Sequence, residues 1–174
     1  LSSQVSEASS KYVYLYNEGV ENEQFGGIVD GYTVGNSSGY GSASRAKNED
    51  HLYITEYGGA YGSGLSYETG TAVDLTEYSL IGIDWEGVGG NKGHYEVNVC
   101  IDPKDCMGEG RELYAGNINS DTYYSAGCTF ARRKQFLDVT NLTGNYYISV
   151  GVFLRYSDKS YYGALKVYKI WLIK

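Results

Sequence analysis

Proline is nearly absent: a single residue, Pro103, in a chain of 174. So little proline leaves few interruptions in a hydrogen-bonded ladder, and strands are free to run long. No run of 18 or more apolar residues occurs, which excludes a membrane-spanning helix, and no membrane insertion is expected. Helical periodicity is missing too, beyond stretches of about two turns. Basic residues are outnumbered, 14 against 21 acidic ones for a net charge of −7, and their densest run is Arg132-Arg133-Lys134. An acidic chain with no larger basic cluster excludes a nucleic-acid partner, and a triplet of that size reads as a solvated strand edge. The two histidines, His51 and His94, are not in metal-ligating spacing. Gly39-Tyr40-Gly41-Ser42 and Gly62-Ser63-Gly64 lack the strand, loop and helix context of a phosphate cradle. The three cysteines, Cys100, Cys106 and Cys128, contain no C-x-x-C pair, against a zinc site of that kind. Their odd number favours reduced thiols, with closure of a small loop between Cys100 and Cys106 as the alternative.

Glycine and tyrosine are what the chain has in quantity, 24 and 20 residues. Glycine supplies turns with positive φ between strands. Tyrosine suits half-exposed strand faces, because its ring is apolar and its hydroxyl can stay wet; binding surfaces for polar ligands favour it for the same reason. The clearest strand lies in Thr71–Glu86. There Ile81, Ile83 and Trp85 fall on one side of an extended chain and Gly82, Asp84 and Glu86 on the other. A turn-forming Asp74-Leu75-Thr76 precedes it. Asp138-Val139-Thr140 likewise precedes a second long strand, with Tyr146, Ile148, Val150, Val152 and Leu154 on its core face. Shorter alternating runs occur at Tyr12–Tyr16, at Asp50–Tyr57 (Leu52 and Ile54 inward) and at Phe130–Phe136. In His94–Ile101, Tyr95, Val97, Val99 and Ile101 face in, and His94, Glu96, Asn98 and Cys100 face out. A turn is expected at Gly87–Gly93, and a loop with one short strand at Asn17–Gly31. The last run, Leu165–Ile173, is apolar on both faces with a phase break near Lys169, which predicts a bulge or a strand buried on both sides.

These patterns predict an all-β fold, an antiparallel two-sheet β-sandwich. Residues 1–11 read as a linker or the end of a stalk, and 12–174 as a single domain long enough for a real core. The polar start at Leu1 shows no secretory leader and reads as a cut from a longer, multidomain chain. Asp84, Glu86 and Glu96 are expected on the outward faces of neighbouring strands, as solvated carboxylates rather than a glycosidase pair. Glu18, Glu21, Asn22 and Glu23 form the densest oxygen cluster. They are the weak candidates for a structural calcium; no other cofactor is expected.

The D-L-T-x-Y group at Asp74–Tyr78 leads into the I-x-I-D-W strand at Ile81–Trp85. With L-D-V-T-x-L-T-G-x-Y-Y-I-x-V at Leu137–Val150 and L-K-V-Y-K-I-W-L at Leu165–Leu172, it resembles the strand sequence of galactose-binding-like jelly rolls, a group that includes carbohydrate-binding modules. The chain also resembles distal domains of tail and tail-fibre proteins from phages and prophages of gut Gram-positive bacteria, which often follow a polar stalk and end on a Trp-containing strand. The resemblance covers most of Tyr12–Lys174. It implies a jelly-roll sandwich with a binding role, at an extracellular, cell-surface or virion location, and carries over no site residue.

The expected function is non-catalytic recognition of a cell-surface or plant polysaccharide. Sugars offer hydroxyl groups and flat C–H faces, which aromatic rings and polar side chains can satisfy together. Tyr40, Tyr57, Tyr61, Tyr123 and Tyr124 are the candidates for stacking, and Asp84, Glu86, Glu96, Asn98 and Arg155 for hydrogen bonding. Trp85 belongs to the core by its face; Trp171 is ambiguous. The alternative is a structural or oligomerisation domain of a phage fibre or bacterial surface protein, its Tyr-rich face packed on a copy of itself, with a homotrimer as the natural assembly. A jelly-roll glycosidase or lyase would need a deep cleft with two carboxylates.

Overall fold

The computed structural model describes residues 11–34, 42–57, 63–90, 93–102, 117–119, 123–124, 130–154 and 162–174. Within them lie two antiparallel sheets. The first runs in the order β12 (Phe130–Asp138), β8 (Leu80–Gly90), β14 (Tyr162–Ile173), β1 (Tyr12–Asn17), β2 (Val20–Glu21). The strand β14 is long enough to take two partners on one side. Its second half pairs with β1, and its first half with β5 (Leu52–Tyr57), beyond which lies β4 (Ser42–Lys47). The second sheet runs β10 (Asn117–Asn119), β9 (Gly93–Asp102), β13 (Asn145–Leu154), β6 (Ser63–Thr69), β3 (Ile28–Val34). The two-residue strands β7 (Val73–Asp74) and β11 (Tyr123–Tyr124) pair with β13 and β9. Among the described residues the one helical piece is a single 3-10 turn, Glu23–Phe25, capped by the Asn22 side chain, which accepts from the Gln24 N–H. This is the sandwich that period-two alternation predicts.

The dry faces meet as expected. Ile81, Ile83 and Trp85 are fully buried, alongside Leu52, Ile54, Leu165, Val167, Ile170 and Leu172. Leu65, Tyr67, Ile101, Ile148 and Val150 of the second sheet belong to the same core cluster. Each such aliphatic side chain contributes about 1.5–3 kcal/mol by leaving water. The polar tip of Trp85 is satisfied on edge strand β12, its Nε1–H donating to Gln135 Oε1 at 2.7 Å.

The phase break near Lys169 is a bulge. Register shifts between Val167 and Lys169, so Tyr168 is the extra residue. Leu165 and Val167 on one side of it, and Ile170 and Leu172 on the other, therefore all face the core. A second shift, between Tyr14 and Tyr16, turns Leu15 and Tyr16 inward and leaves Tyr12 and Tyr14 outside.

Two expected boundaries differ. β8 does not turn at Gly87 but continues to Gly90, because Gly87, Gly89 and Gly90 stay paired with Leu165, Ala164 and Gly163 of β14 across a register shift at Val88. The segment 17–31 is more ordered than a loop, holding β2, the 3-10 turn and the start of β3.

The repeated Asp-apolar-Thr groups perform one job twice. Asp74 Oδ1 accepts from the Thr76 N–H (3.0 Å) and Oγ1–H (2.6 Å), and Asp138 Oδ1 accepts from the Thr140 N–H at 2.9 Å. These Asx turns drive Leu75 and Val139 into the core, 0% and 1% exposed. The groups are also tied to each other's strands: Leu75 N donates to Gly144 O, and Val139 N to Ser79 O, each at 2.9 Å.

Candidate functional site

Strand register aligns four positions across the outer face of the first sheet: Phe136 opposite Gly82, Gly82 opposite Trp171, Trp171 opposite Tyr14. The missing side chain at Gly82 makes the site. The Trp171 indole lies over that glycine, where a Cβ would run into its ring. Phe136 meets the indole edge-on, with centroids 5.7 Å apart, and Tyr14 meets it tilted at 6.1 Å. Trp171 is 6% exposed and forms a floor; Phe136 at 50%, Tyr12 at 47% and Tyr14 at 38% stand up as walls. With Leu80, Ile173 and Lys134 they enclose a trough of about 550 Å³.

Two residues further along β8 on the same face, about 7 Å at a strand's rise per residue, the surface becomes polar. Arg132 grips the buried Asp84 with two hydrogen bonds, Nε to Oδ1 at 2.9 Å and Nη2 to Oδ2 at 3.0 Å, and reaches Glu18 Oε1 at 3.1 Å. Its guanidinium lies 3.8 Å from the centroid of the Tyr168 ring. The bulge that pushes Tyr168 out of the core supplies this support. Tyr168 donates its hydroxyl proton to Glu86 Oε2 at 2.6 Å. Burial first, and then Glu86, push the Tyr168 phenol up to about 12; Asp84 above all holds the Arg132 guanidinium in its charged form. Beyond Tyr168, His51 packs at 5.7 Å and shares a 2.6 Å hydrogen bond with Asp50, which lowers the Asp50 carboxyl. Next to them is a second hollow of about 580 Å³, lined by Asn48, Glu49, Asp50, His51, Tyr53, Val88 and Lys166.

No family model matches the chain, and no curated protein shows sequence similarity to it. Solved structures do match. One is an arginine-to-alanine variant of CBM29-2, from work on ligand recognition by family 29 carbohydrate-binding modules. It superposes with a TM-score of 0.51 at 10% identity, covering 92% of this chain and 90% of that one. A lysine-to-alanine and an aspartate-to-alanine variant of the same module each give 0.50 at 10% identity, over 92% of this chain and 90% and 89% of theirs. The chain shares with these structures an all-β jelly-roll fold of two antiparallel sheets.

Within this jelly roll the expected site residues divide between two sheets. Asp84 and Glu86 lie on the first sheet, as does Tyr57, which stands opposite Tyr162. Glu96 and Asn98 do not lie beside them: β9 belongs to the second sheet, with Glu96 opposite Phe153 and Asn98 opposite Gly151. Asp84 and Glu96 are therefore not on neighbouring strands. β8, which ends at Gly90, belongs to the first sheet and β9, which begins at Gly93, to the second, and alternation fixes a residue's face without fixing its sheet. Nor is Asp84 a solvated carboxylate, since Arg132 covers it to 3% exposure. His51 and His94 are also on opposite sheets. Tyr123 and Tyr124 sit on β11, opposite His94 and Gly93. Tyr40, Tyr61 and Arg155 lie outside the described residues, as do Cys106, Cys128 and residues 1–10.

Three of the four oxygen-bearing residues near the first turn are engaged by the jelly roll's own groups. Glu18 faces Arg132, and Asn22 donates to Tyr14 O while capping the 3-10 turn. Glu21 Oε1 accepts from the Ile28 N–H at 2.7 Å and from Lys47 at 2.8 Å. Burial raises the Glu21 carboxyl, but Lys47 and the Ile28 N–H outweigh it and hold the group below its usual value. Glu23 approaches Gly27 beside Glu21. Among the described residues no three His, Cys, Asp or Glu side chains converge as a metal-binding group.

Of the trough residues, Tyr12, Tyr14, Lys134 and Phe136 were not among the expected site residues, and Trp171, ambiguous by sequence, is the floor. A signal was present: Gly82 between two buried isoleucines inside a strand marks a close approach by a neighbouring group.

Proposed function

We propose that this chain is a non-catalytic carbohydrate-binding module that holds an extracellular, cell-surface or plant polysaccharide on the outer face of its first sheet. The observation that carries this reading is the trough, in which exposed Phe136, Tyr12 and Tyr14 rings around the buried Trp171 floor offer aromatic surface to the C–H side of a sugar. The Glu86, Asp50 and Lys166 side of the same face offers partners for its hydroxyl groups. A non-catalytic role is supported by the commitments of the carboxylates on this face: Asp84 is held by Arg132 and Glu86 by Tyr168, leaving neither poised as a general acid or nucleophile.

Affinity electrophoresis in gels containing glucomannan, xylan, mixed-linkage glucan or homogalacturonan tests this. At least one polymer retards the native protein. Phe136→Ala, at a half-exposed position whose loss spares the core, weakens that retention about five- to thirtyfold, the equivalent of about 1–2 kcal/mol. Unretarded migration in every polymer, or retention identical in the variant, overturns the assignment.

A further inference from the structure

We propose that the trough selects an acidic polysaccharide, a chain of uronate residues, and that Lys134 holds the carboxylate. The proposal rests on the trough being a sugar site and names the class of sugar. The protein as a whole carries a net charge of −7, yet the charged residue at the trough is a lysine. Among the described residues Lys134 lines it, and no carboxylate does. In the adjoining row Lys134 stands opposite Asp84, and Lys169 stands on the other side of Asp84. That carboxylate is already matched by the two hydrogen bonds from Arg132, whose remaining reach goes to Glu18. Lys134 and Lys169 make no ion pair among the described residues, where Lys47 pairs with Glu21 and Lys174 with Glu77. Asp138, opposite Leu80, turns its Oδ1 to the Thr140 N–H.

The geometry matches a uronate. Its carboxylate projects from the edge of the sugar ring, close to the ring plane. A pyranose stacked on an aromatic face therefore presents that group to a wall and not to the floor. Lys134 is at the wall. An ammonium on a flexible stem meets a single carboxylate as a point charge without needing bidentate alignment. A neutral hexose at the same place would leave the ammonium facing only hydroxyl groups.

Titration calorimetry with a galacturonate hexamer, its fully methyl-esterified counterpart and neutral mannan, xylan and glucan hexamers decides the matter. The acid binds at least about tenfold more tightly than its ester to the native protein. Lys134→Met, on an exposed edge strand, brings the acid down to the ester's affinity, whereas Lys134→Arg keeps the preference. Equal affinity for acid and ester, with both lost in Phe136→Ala, overturns the charge selection and leaves the sugar trough standing. A preference that survives Lys134→Met also overturns it. Failure of every hexamer to bind removes both this inference and the reading beneath it.

Discussion

Gly82 decides whether the trough exists. It is the one position on the outer row without a side chain, and the Trp171 indole occupies the space a Cβ would need. Gly82→Ala therefore has to lift the indole or push β8 away from β14. Overpacking of this kind costs about 1–3 kcal/mol. The variant is expected to melt at a lower temperature, to change its near-ultraviolet tryptophan signal and to lose polysaccharide retention together; an unchanged near-ultraviolet spectrum would mean that Trp171 is not seated on Gly82. Arg132 and Tyr168 can be separated in the same spirit. Arg132→Met leaves Asp84 buried without its two donors, the type of loss that destabilises by several kcal/mol when fully buried, and by about 1–3 kcal/mol here because Arg132 is 43% exposed. Tyr168→Phe removes only the hydroxyl bond to Glu86 while keeping the ring under the guanidinium, and should cost about 1 kcal/mol. Denaturant unfolding of the two variants and of the double variant ranks them; an Arg132→Met protein as stable as the native one would show that Asp84 finds another partner.

Elements explain which parts of this could be read from the chain. The alternation of Ile81, Ile83 and Trp85, and the phase break near Lys169, were legible because a strand's period of two and a one-residue bulge leave their mark in local order. The paired Asp-apolar-Thr groups were legible as turns, although their mutual bonds were not. The sheet to which a strand belongs leaves no such mark: β8 and β9 are consecutive and similarly patterned, yet they lie in opposite layers and carry Asp84 and Glu96 apart. The trough was missed because it is built across four strands, three contributing rings and β8 an absence. The Asp-apolar-Thr elements carry their own prediction. Leu75 is fully buried, so Leu75→Ala should cost about 2–5 kcal/mol. Since the Leu75 and Val139 turns are bonded through Gly144 and Ser79, the Leu75→Ala/Val139→Ala pair should depart from additivity by at least about 0.5 kcal/mol. Strict additivity in equilibrium unfolding would mean that the two turns brace the core separately.

Three phenols connect these elements to the behaviour of the whole sandwich. Tyr16 at the β1 bulge and Tyr67 on β6 are 2% and 3% exposed, and Tyr168 sits at the β14 bulge. Burial pushes each from an ordinary value near 10 up to about 12. The sign follows from which state keeps its protons. Below pH 10 these phenols are neutral whether the chain is folded or not, and the preference for the neutral form is fully present. Between about 10 and 12 the unfolded chain releases protons that the folded one retains, so stability falls as pH rises through this window. The loss is on the order of 2 kcal/mol for each phenol at most. Tyr16 and Tyr67 come from opposite sheets, so the alkaline transition should be a single cooperative loss of both sheets and not the fraying of one edge. Denaturant midpoints measured from pH 9 to 12, with phenolate absorbance followed in parallel, should show the midpoint dropping while a late-titrating set of tyrosines ionises only on unfolding. Tyr67→Phe should flatten the drop. A midpoint that is level across the window, or tyrosines that all ionise near pH 10 in the folded protein, would show that these rings are not enclosed by the two sheets.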